Sequence, residues 1–284
     1  MSVLYQLVVG LEKTKALDVV AKPLAAGVSK VVRSNRTVRN WLSGTPTGHP
    51  AHPALTDVTL GALGMSTLLD VVGGRSAERS ADLLLRVGVG SVVPTAATGL
   101  NDWSDLMGGA SRVGLVHASS NTTALGLYLA SLAARRRGDR GAGKALAVAG
   151  LGVLTVGGYL GGHLAFARTS GVNHTALENP PTDWTPVLSD AALTRGAHRL
   201  VHAAGVLVLL VQDDSGISAI ANTCSHLGGP LNEGEFRDRC VTCPWHGSTF
   251  RLEDGEVVQG PATVPQPVYA TRVRDGQVEV RLQS

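Results

Sequence analysis

Cys224 and His226 are separated by one residue, Cys243 and His246 by two, and sixteen residues lie between the two pairs. Each short stretch offers one thiolate and one imidazole. Two loops of this kind can clamp opposite sides of a single [2Fe–2S] cluster, thiolates on one iron and imidazoles on the other. Replacing two thiolates by imidazoles removes negative charge and raises the potential relative to an all-cysteine cluster. The competing chemistry is a structural zinc site. Cys240 and Cys243 form a C-x-x-C, and with Cys224 and a histidine they supply a tetrahedral set. The zinc set leaves Gly228-Gly229-Pro230 and Gly247-Ser248 without a task, and in the cluster reading Cys240 is a buried or free thiol near the site. All three cysteines fall between positions 224 and 243, which is not the spread of a disulfide scaffold and favours a metal centre.

The elements that must position these loops are short. Leu200-Val201, Val206–Val211, Ile217–Ile220, Val257-Val258, Val268–Val273 and Val278–Leu282 are β-type runs. Asp213-Asp214-Ser215-Gly216, Glu253-Asp254-Gly255 and Asp275-Gly276 separate them as turns, which predicts a small all-β domain over residues 184–284. His198 and His202 are four apart but lie in a predicted strand, as ordinary surface residues.

The stretches Cys224-Ser-His-Leu-Gly-Gly-Pro-Leu231 and Cys243-Pro-Trp-His-Gly-Ser-Thr-Phe250 resemble the two cluster-binding loops of Rieske proteins, and Gly260-Pro261-Ala262 resembles the proline loop that covers the cluster in that family. The resemblance covers about Trp184 to Leu282. It implies a [2Fe–2S] cluster held by Cys224, His226, Cys243 and His246, one-electron transfer, and a redox partner that is a donor reductase or an acceptor oxygenase. It implies too that His226 and His246 expose their ring edges at the domain tip. Quinol-oxidising members carry an extra cysteine in each loop, forming a disulfide, where this chain has Gly229 and Trp245; they have a tyrosine where this chain has Phe250. A hydrogen bond toward the cluster stabilises its more negative reduced state, so its loss lowers the potential. A ferredoxin- or oxygenase-type cluster is expected, toward the low end of the Rieske range of about −150 to +300 mV. The catalytic oxygenase domain with a two-His-one-carboxylate iron, which would follow, is not expected. The module is read as an electron carrier rather than a stand-alone enzyme, with no catalytic residue assigned.

The preceding residues have another composition. Across all 284 residues, 44% are apolar, 17% are charged and 35 are glycines, a balance that points to membrane helices. The formal charge of +3, with no basic stretch interleaved with aromatics, gives no case for nucleic acid. No export leader is expected at the N-terminus. Residues 1–48 are a basic extension with Leu4, Leu7, Val8 and Leu11 at helical spacing, suited to an anionic lipid surface or to a solvated helix. Four apolar stretches follow, at Ala54–Val72, Ala81–Leu100, Val113–Ala134 and Ala145–Ala167, each near the ~20 residues that cross a bilayer. The first carries Asp57 and Asp70, the second Asp82, Arg86 and Pro94. The pairs Gly157/Gly161 and Gly158/Gly162 allow close helix approach. The expected organisation is a four-span membrane α-helical bundle over 49–170, a linker over 171–183 with Pro180-Pro181, and the β domain. A soluble four-helix bundle is the alternative.

Ionisable residues inside spans are functional hypotheses by default. His117 and His163 fall at similar depth on the third and fourth stretches. They are read as polar packing, with His117 bonding Asn121 and His163 near Tyr159, or as ligands of haem b, or as a quinone pocket. His49 and His52 read as interfacial. Either haem or a quinone there would make the chain a membrane oxidoreductase subunit; a redox-sensing structural protein is a further alternative. The membrane half also resembles an uncharacterised bacterial four-helix membrane-domain family, through Gly48-His-Pro-Ala-His-Pro53, Asp102-Trp103 and Gly161-Gly162-His163-Leu164 over roughly residues 1–170. That resemblance implies a multi-pass cell-membrane location and no particular chemistry. Arg75, Arg79, Arg135, Arg136, Arg137, Arg140 and Lys144 favour placing the termini outside. The basic extension and the missing disulfide favour a cytoplasmic β domain instead, and that placement is the expectation.

Overall fold

The computed structural model describes residues 3–283. Its helices are α1 (Val3–Lys13), α2 (Asp18–Arg33), α3 (Arg36–Ser43), α4 (Ala51–Val72), α5 (Glu78–Trp103), α6 (Gly108–Arg136) and α7 (Arg140–Gly162), the last running into a π-helical turn, His163–Ala167. Two compact units result. One takes the chain up to Asn35 and Ala51–Ser170; the other takes Arg36–Pro50 and the chain from Gly171 onward. Helix α3 and the segment after it, which the sequence assigns to the extension, therefore cluster with the β domain.

In the helical unit α4–α5 and α6–α7 form two hairpins around Leu63, Leu85, Ala124, Tyr128, Ala147 and Leu154. Asp139 caps α7 by accepting the Ala142 N–H at 2.9 Å. Gly157 and Gly161 lie against Asn121 and His117 of α6, so this glycine pair serves helix approach, whereas Gly158 meets no neighbour. Helix α1 packs on α6 through Val8 but leaves Leu4 and Leu7 exposed.

Among the described residues, three helical segments are long and apolar enough to cross a membrane: Ala51–Val72, Arg75–Trp103 and Arg140–Ala167. The expectation was four. Helix α6 has the length, but Ser119-Ser120-Asn121-Thr122-Thr123 interrupts its apolar surface. Ser119, Thr122 and Thr123 return their hydroxyls to carbonyls four residues back, at 2.8–2.9 Å. The charges that complicate the first two stretches divide. Asp70 and Asp82 meet Arg135 and Arg140 at one end of the unit, with Arg140 at 3.0 Å from Asp70 and Arg135 at 2.6 Å from Asp82. Asp57 and Arg86 remain exposed.

The second unit holds β1 (Thr185–Ser189), β2 (His198–Ala203), β3 (Val206–Asp213), β4 (Gly216–Ala221), β5 (Glu235–Arg237), β6 (Cys240–Thr242), β7 (Thr249–Arg251), β8 (Val257–Gln259), β9 (Val268–Arg274) and β10 (Gln277–Leu282). A six-stranded, barrel-like antiparallel sheet has the order β1-β10-β9-β4-β3-β2, and a four-stranded sheet the order β5-β6-β7-β8. The predicted Asp275-Gly276 turn is a two-residue hairpin with φ of 51° and 72°, the positive pair that matches strand twist. Alternation on β3 sends Val208 and Leu210 into the barrel core and Leu209 into a second core with Ile220, Val241 and Phe250. Cys224 and Cys243 belong to that second core, so strand periodicity itself aims the site.

Candidate iron–sulfur centre

The first loop leaves β4 and the second joins β6 to β7, and the two are built alike. The Cys224 carbonyl accepts the Gly228 N–H at 2.9 Å, and its own N–H donates to Gly229 O at 2.9 Å. The Cys243 carbonyl accepts the Gly247 N–H at 3.1 Å, and its N–H donates to Ser248 O at 2.8 Å. Gly228 and Gly247 have φ of 76° and 79°, a conformation that costs glycine little. The same turn at both places carries each cysteine and histidine to a common point. The Cys224 and Cys243 side chains are buried in the same core and their thiols interact electrostatically, and the His226 and His246 rings stand edge to face with centroids 5.1 Å apart.

Both thiols are buried, at 1% and 3% exposure. The Cys224 thiol is pushed up, first by its interaction with the Cys243 thiol and second by burial. Cys243 is held down, first by its interaction with the Cys224 thiol, with burial opposing it and the Trp245 and His246 N–H groups assisting. The His226 and Leu227 N–H groups turn likewise toward Cys224. These are donors placed to stabilise anionic sulfur. Gly229 makes room for the pair: a Cβ there would stand 2.7 Å from Cys243 Sγ and 3.1 Å from the Trp245 ring.

The histidines differ in exposure. His246 is 5% exposed and His226 half-buried, while Pro244 and Trp245 form the exposed part of the loop. The expectation that both rings show their edges to solvent thus fails for His246. Cys240 points elsewhere: it lies on β6 opposite Arg251, and its thiol donates to Asp238 O at 3.5 Å. Among the described residues no three His, Cys, Asp or Glu side chains are gathered around a single point.

Several supporting residues escape sequence reading. Ser248 Oγ accepts the Ala262 N–H at 2.9 Å; its place beside Gly247 in the second loop was the signal available. Gln266 accepts the Ser225 N–H at 2.9 Å, and His174 donates its N–H to Ser225 O at 3.1 Å. No spacing marks either of these.

His117 and His163 are engaged inside the helical unit. His117 Nδ1 lies 2.8 Å from Gly157 O and its Nε2 3.1 Å from Asn121 Nδ2, a pattern that makes Nδ1 the donor and Nε2 the acceptor. His163 Nε2 meets Glu12 Oε1 at 2.8 Å, beside an Arg168–Glu12 ion pair and 5.9 Å from the Tyr5 ring centroid. Both rings are held by protein partners through Nε2, and nothing among the described residues supports haem. The His163 ring bonds Glu12, while its backbone N–H donates to the Leu160 and Tyr159 carbonyls at the end of α7. His52, read as interfacial, lies 3.0 Å from Thr95 O through Nδ1.

A barrel-like sheet with a small appended sheet and paired Cys–His loops defines the class of iron–sulfur electron-transfer domains. Residues 183–270 match the family described as the Rieske [2Fe-2S] domain, and residues 48–174 match DUF2231, a predicted membrane protein. The chain is 31% identical over 102 residues to the anthranilate 1,2-dioxygenase ferredoxin subunit of Burkholderia cepacia, a match covering 35% of this chain and 93% of that protein. It is 32% identical over 89 residues to apoptosis-inducing factor 3 of Homo sapiens, covering 31% of this chain but only 15% of that relative's length. The ferredoxin of carbazole 1,9a-dioxygenase from Nocardioides aromaticivorans IC177 matches at 25% identity and a TM-score of 0.33, over 35% of this chain and 98% of that one. The protein belongs to the Rieske [2Fe–2S] family and carries a Rieske-type electron-transfer domain together with a DUF2231 domain.

Proposed function

We propose that this protein is a membrane-anchored one-electron carrier in which Cys224 and Cys243 hold one iron of a [2Fe–2S] cluster, and His226 and His246 the other. The observation that carries the reading is the convergence of the two loops, which buries both cysteines in one core and brings the imidazole centroids to 5.1 Å. The residues fit the group. The donor set is two thiols and two imidazoles, backbone N–H groups face both sulfurs, and the missing Cβ of Gly229 keeps the space beside Cys243 open. The cluster, when bound, supplies reversible uptake of one electron. The chain's own residues bury the sulfurs, stabilise their charge and leave Trp245 and one edge of His226 at the surface for a docking partner.

The domain boundaries proposed are those of the sequence reading, 1–48, 49–170, 171–183 and 184–284, with Arg36–Pro50 folding as part of the β unit. Helices α4, α5 and α7, with α6 as a fourth span satisfied by its own hydroxyl back-bonds, anchor the carrier in lipid. A cytoplasmic Rieske domain is the proposed orientation, supported by the basic N-terminal extension and by Gly229 and Trp245 standing where a disulfide would be. The similarity to a dioxygenase ferredoxin subunit supports a redox protein, a reductase or an oxygenase, as the partner.

The test is anaerobic purification in mild detergent, with EPR of the dithionite-reduced sample and a visible spectrum. A rhombic Rieske signal in the wild type that is absent in Cys243→Ser supports the assignment. One zinc per chain and no iron signal, with cluster loss during handling excluded, would end it. A reporter fused after residue 284 that is active only outside the cytoplasm would reverse the orientation.

A further inference from the structure

We infer that Arg36–Pro50, a segment outside the region that matches the Rieske family, is a positioning strap for the cluster pocket, acting through Asn40 and Thr45. The inference rests on the cluster reading above. Asn40 Oδ1 accepts the Gly260 N–H at 3.0 Å, and the Thr45 hydroxyl donates to Ala262 O at 2.9 Å. Both bonds land on the loop that resembles the Rieske proline loop. A Cβ on Gly260 would run into Thr45 Oγ1, so the strap is fitted to the one residue type that admits it. Gly44 and Gly48, with φ of 87° and 68°, bracket the turn that presents Thr45.

The contact continues inward to a cluster ligand. The Ala262 N–H donates to Ser248 Oγ at 2.9 Å, and Ser248 O accepts the Cys243 N–H at 2.8 Å. Ala262 is 1% exposed and Ser248 0%. Three hydrogen bonds therefore connect the Thr45 hydroxyl to the backbone of Cys243. Arg39 and Ser43, from the same strap, are also buried, at 3% and 4% exposure. A loop held only by its own turn opens more often than one pinned at two points from a separate segment. Two hydrogen bonds of ordinary net strength make such opening roughly ten- to thirtyfold rarer. The strap leads directly into α4 at Ala51, so the brace on the cluster pocket is part of the covalent connection to the helical half.

The experiment uses the full-length protein in detergent. The rate at which a ferrous chelator bleaches the visible bands of the reduced protein is measured together with the EPR g-values. Asn40→Ala combined with Thr45→Val is expected to bleach roughly tenfold faster than wild type and to shift the g-values. Asn40→Asp keeps the acceptor and Thr45→Ser keeps the hydroxyl, so both are expected to stay at the wild-type rate. Wild-type bleaching in the double variant, or a Thr45→Ser rate equal to that of Thr45→Val, would overturn the strap. Amide exchange in the unaltered protein gives an independent reading: Gly260 is expected to be as protected as Ala262, and exchange at the rate of an open loop would refute its bond to Asn40. Absence of the Rieske signal in the wild type would count against the cluster reading alone, since exchange at Gly260 still decides the strap.

Discussion

Gln266 Oε1 accepts the backbone N–H of Ser225, the residue between Cys224 and His226, at 2.9 Å. Its Nε2 donates to the Ala221 and Thr223 carbonyls at 3.0 and 2.8 Å, and the side chain is 3% exposed. One amide thus holds the end of β4 and the first ligand loop in register. Gln266→Leu leaves the Ser225 N–H and the Ala221 and Thr223 carbonyls without this partner, for a total loss of about 1–3 kcal/mol. The β domain is expected to melt several degrees lower and to lose its cluster faster, followed by thermal melting at the visible cluster bands. An unchanged melting temperature would mean that the bracket is redundant.

Phe250 lies on β7 between Val241 and Val257, is 0% exposed and offers no hydroxyl. The midpoint potential is expected toward the low end of about −150 to +300 mV. Phe250→Tyr is expected to raise it by roughly 20–60 mV, the equivalent of one hydrogen bond of about 0.5–1.5 kcal/mol in a one-electron couple. Redox titration followed by EPR makes the comparison. A potential that falls or stays put in the tyrosine variant would show that residue 250 does not address the cluster.

What the sequence revealed was local. The four ligand candidates sit in two short loops, and Asp275-Gly276 carries its own turn chemistry. What it hid was partnership over distance. Thr45 and Ala262 are 217 positions apart, and Glu12 and His163 are 151 apart; no periodicity announces either pair. Asp70 and Asp82 read as liabilities in apolar helices because their partners, Arg135 and Arg140, lie some sixty residues away in chain order. The polar run Ser119–Thr123 lies inside the stretch Val113–Ala134, and it keeps α6 out of the set of qualifying spans among the described residues. Likewise, His246 gives no sign in the motif that its ring is enclosed while that of His226 is partly open.

Asp18 on α2 is held down to about 2, first by its hydrogen bonds from Arg112, at 2.6 and 2.9 Å, and then by Lys22, with partial desolvation opposing. A carboxylate whose folded pKa lies below its unfolded value of about 3.9 adds stability above that value. The contribution drains away as pH falls from about 4 through about 2. Wild type is therefore expected to exceed Asp18→Asn in helical melting temperature at pH 5, and the gap should close near pH 2. Circular dichroism melts in detergent at several pH values test this. A gap independent of pH would place the effect in packing and not in the charge.

Arg135 joins Asp70 and Asp82 with a side chain only 5% exposed, and the Asp70 carboxyl is 0% exposed. Removing one partner of a buried pair strands the other charge, at a cost of about 3–5 kcal/mol, more than the pair itself contributes over apolar residues of similar volume. Arg140, 3.0 Å from Asp70, softens the loss, so Arg135→Met is expected to cost about 3 kcal/mol. Asp70→Leu combined with Arg135→Met removes both charges and should recover most of that loss, because neither desolvated ion then lacks its counter-charge. Unfolding of the helical unit in mixed micelles, titrated with denaturing detergent, gives both numbers. If the double variant were as unstable as the single one, the cost would come from lost shape or from Asp82, and the Arg135–Asp70 pair would not be the element that makes these charges tolerable between apolar helices.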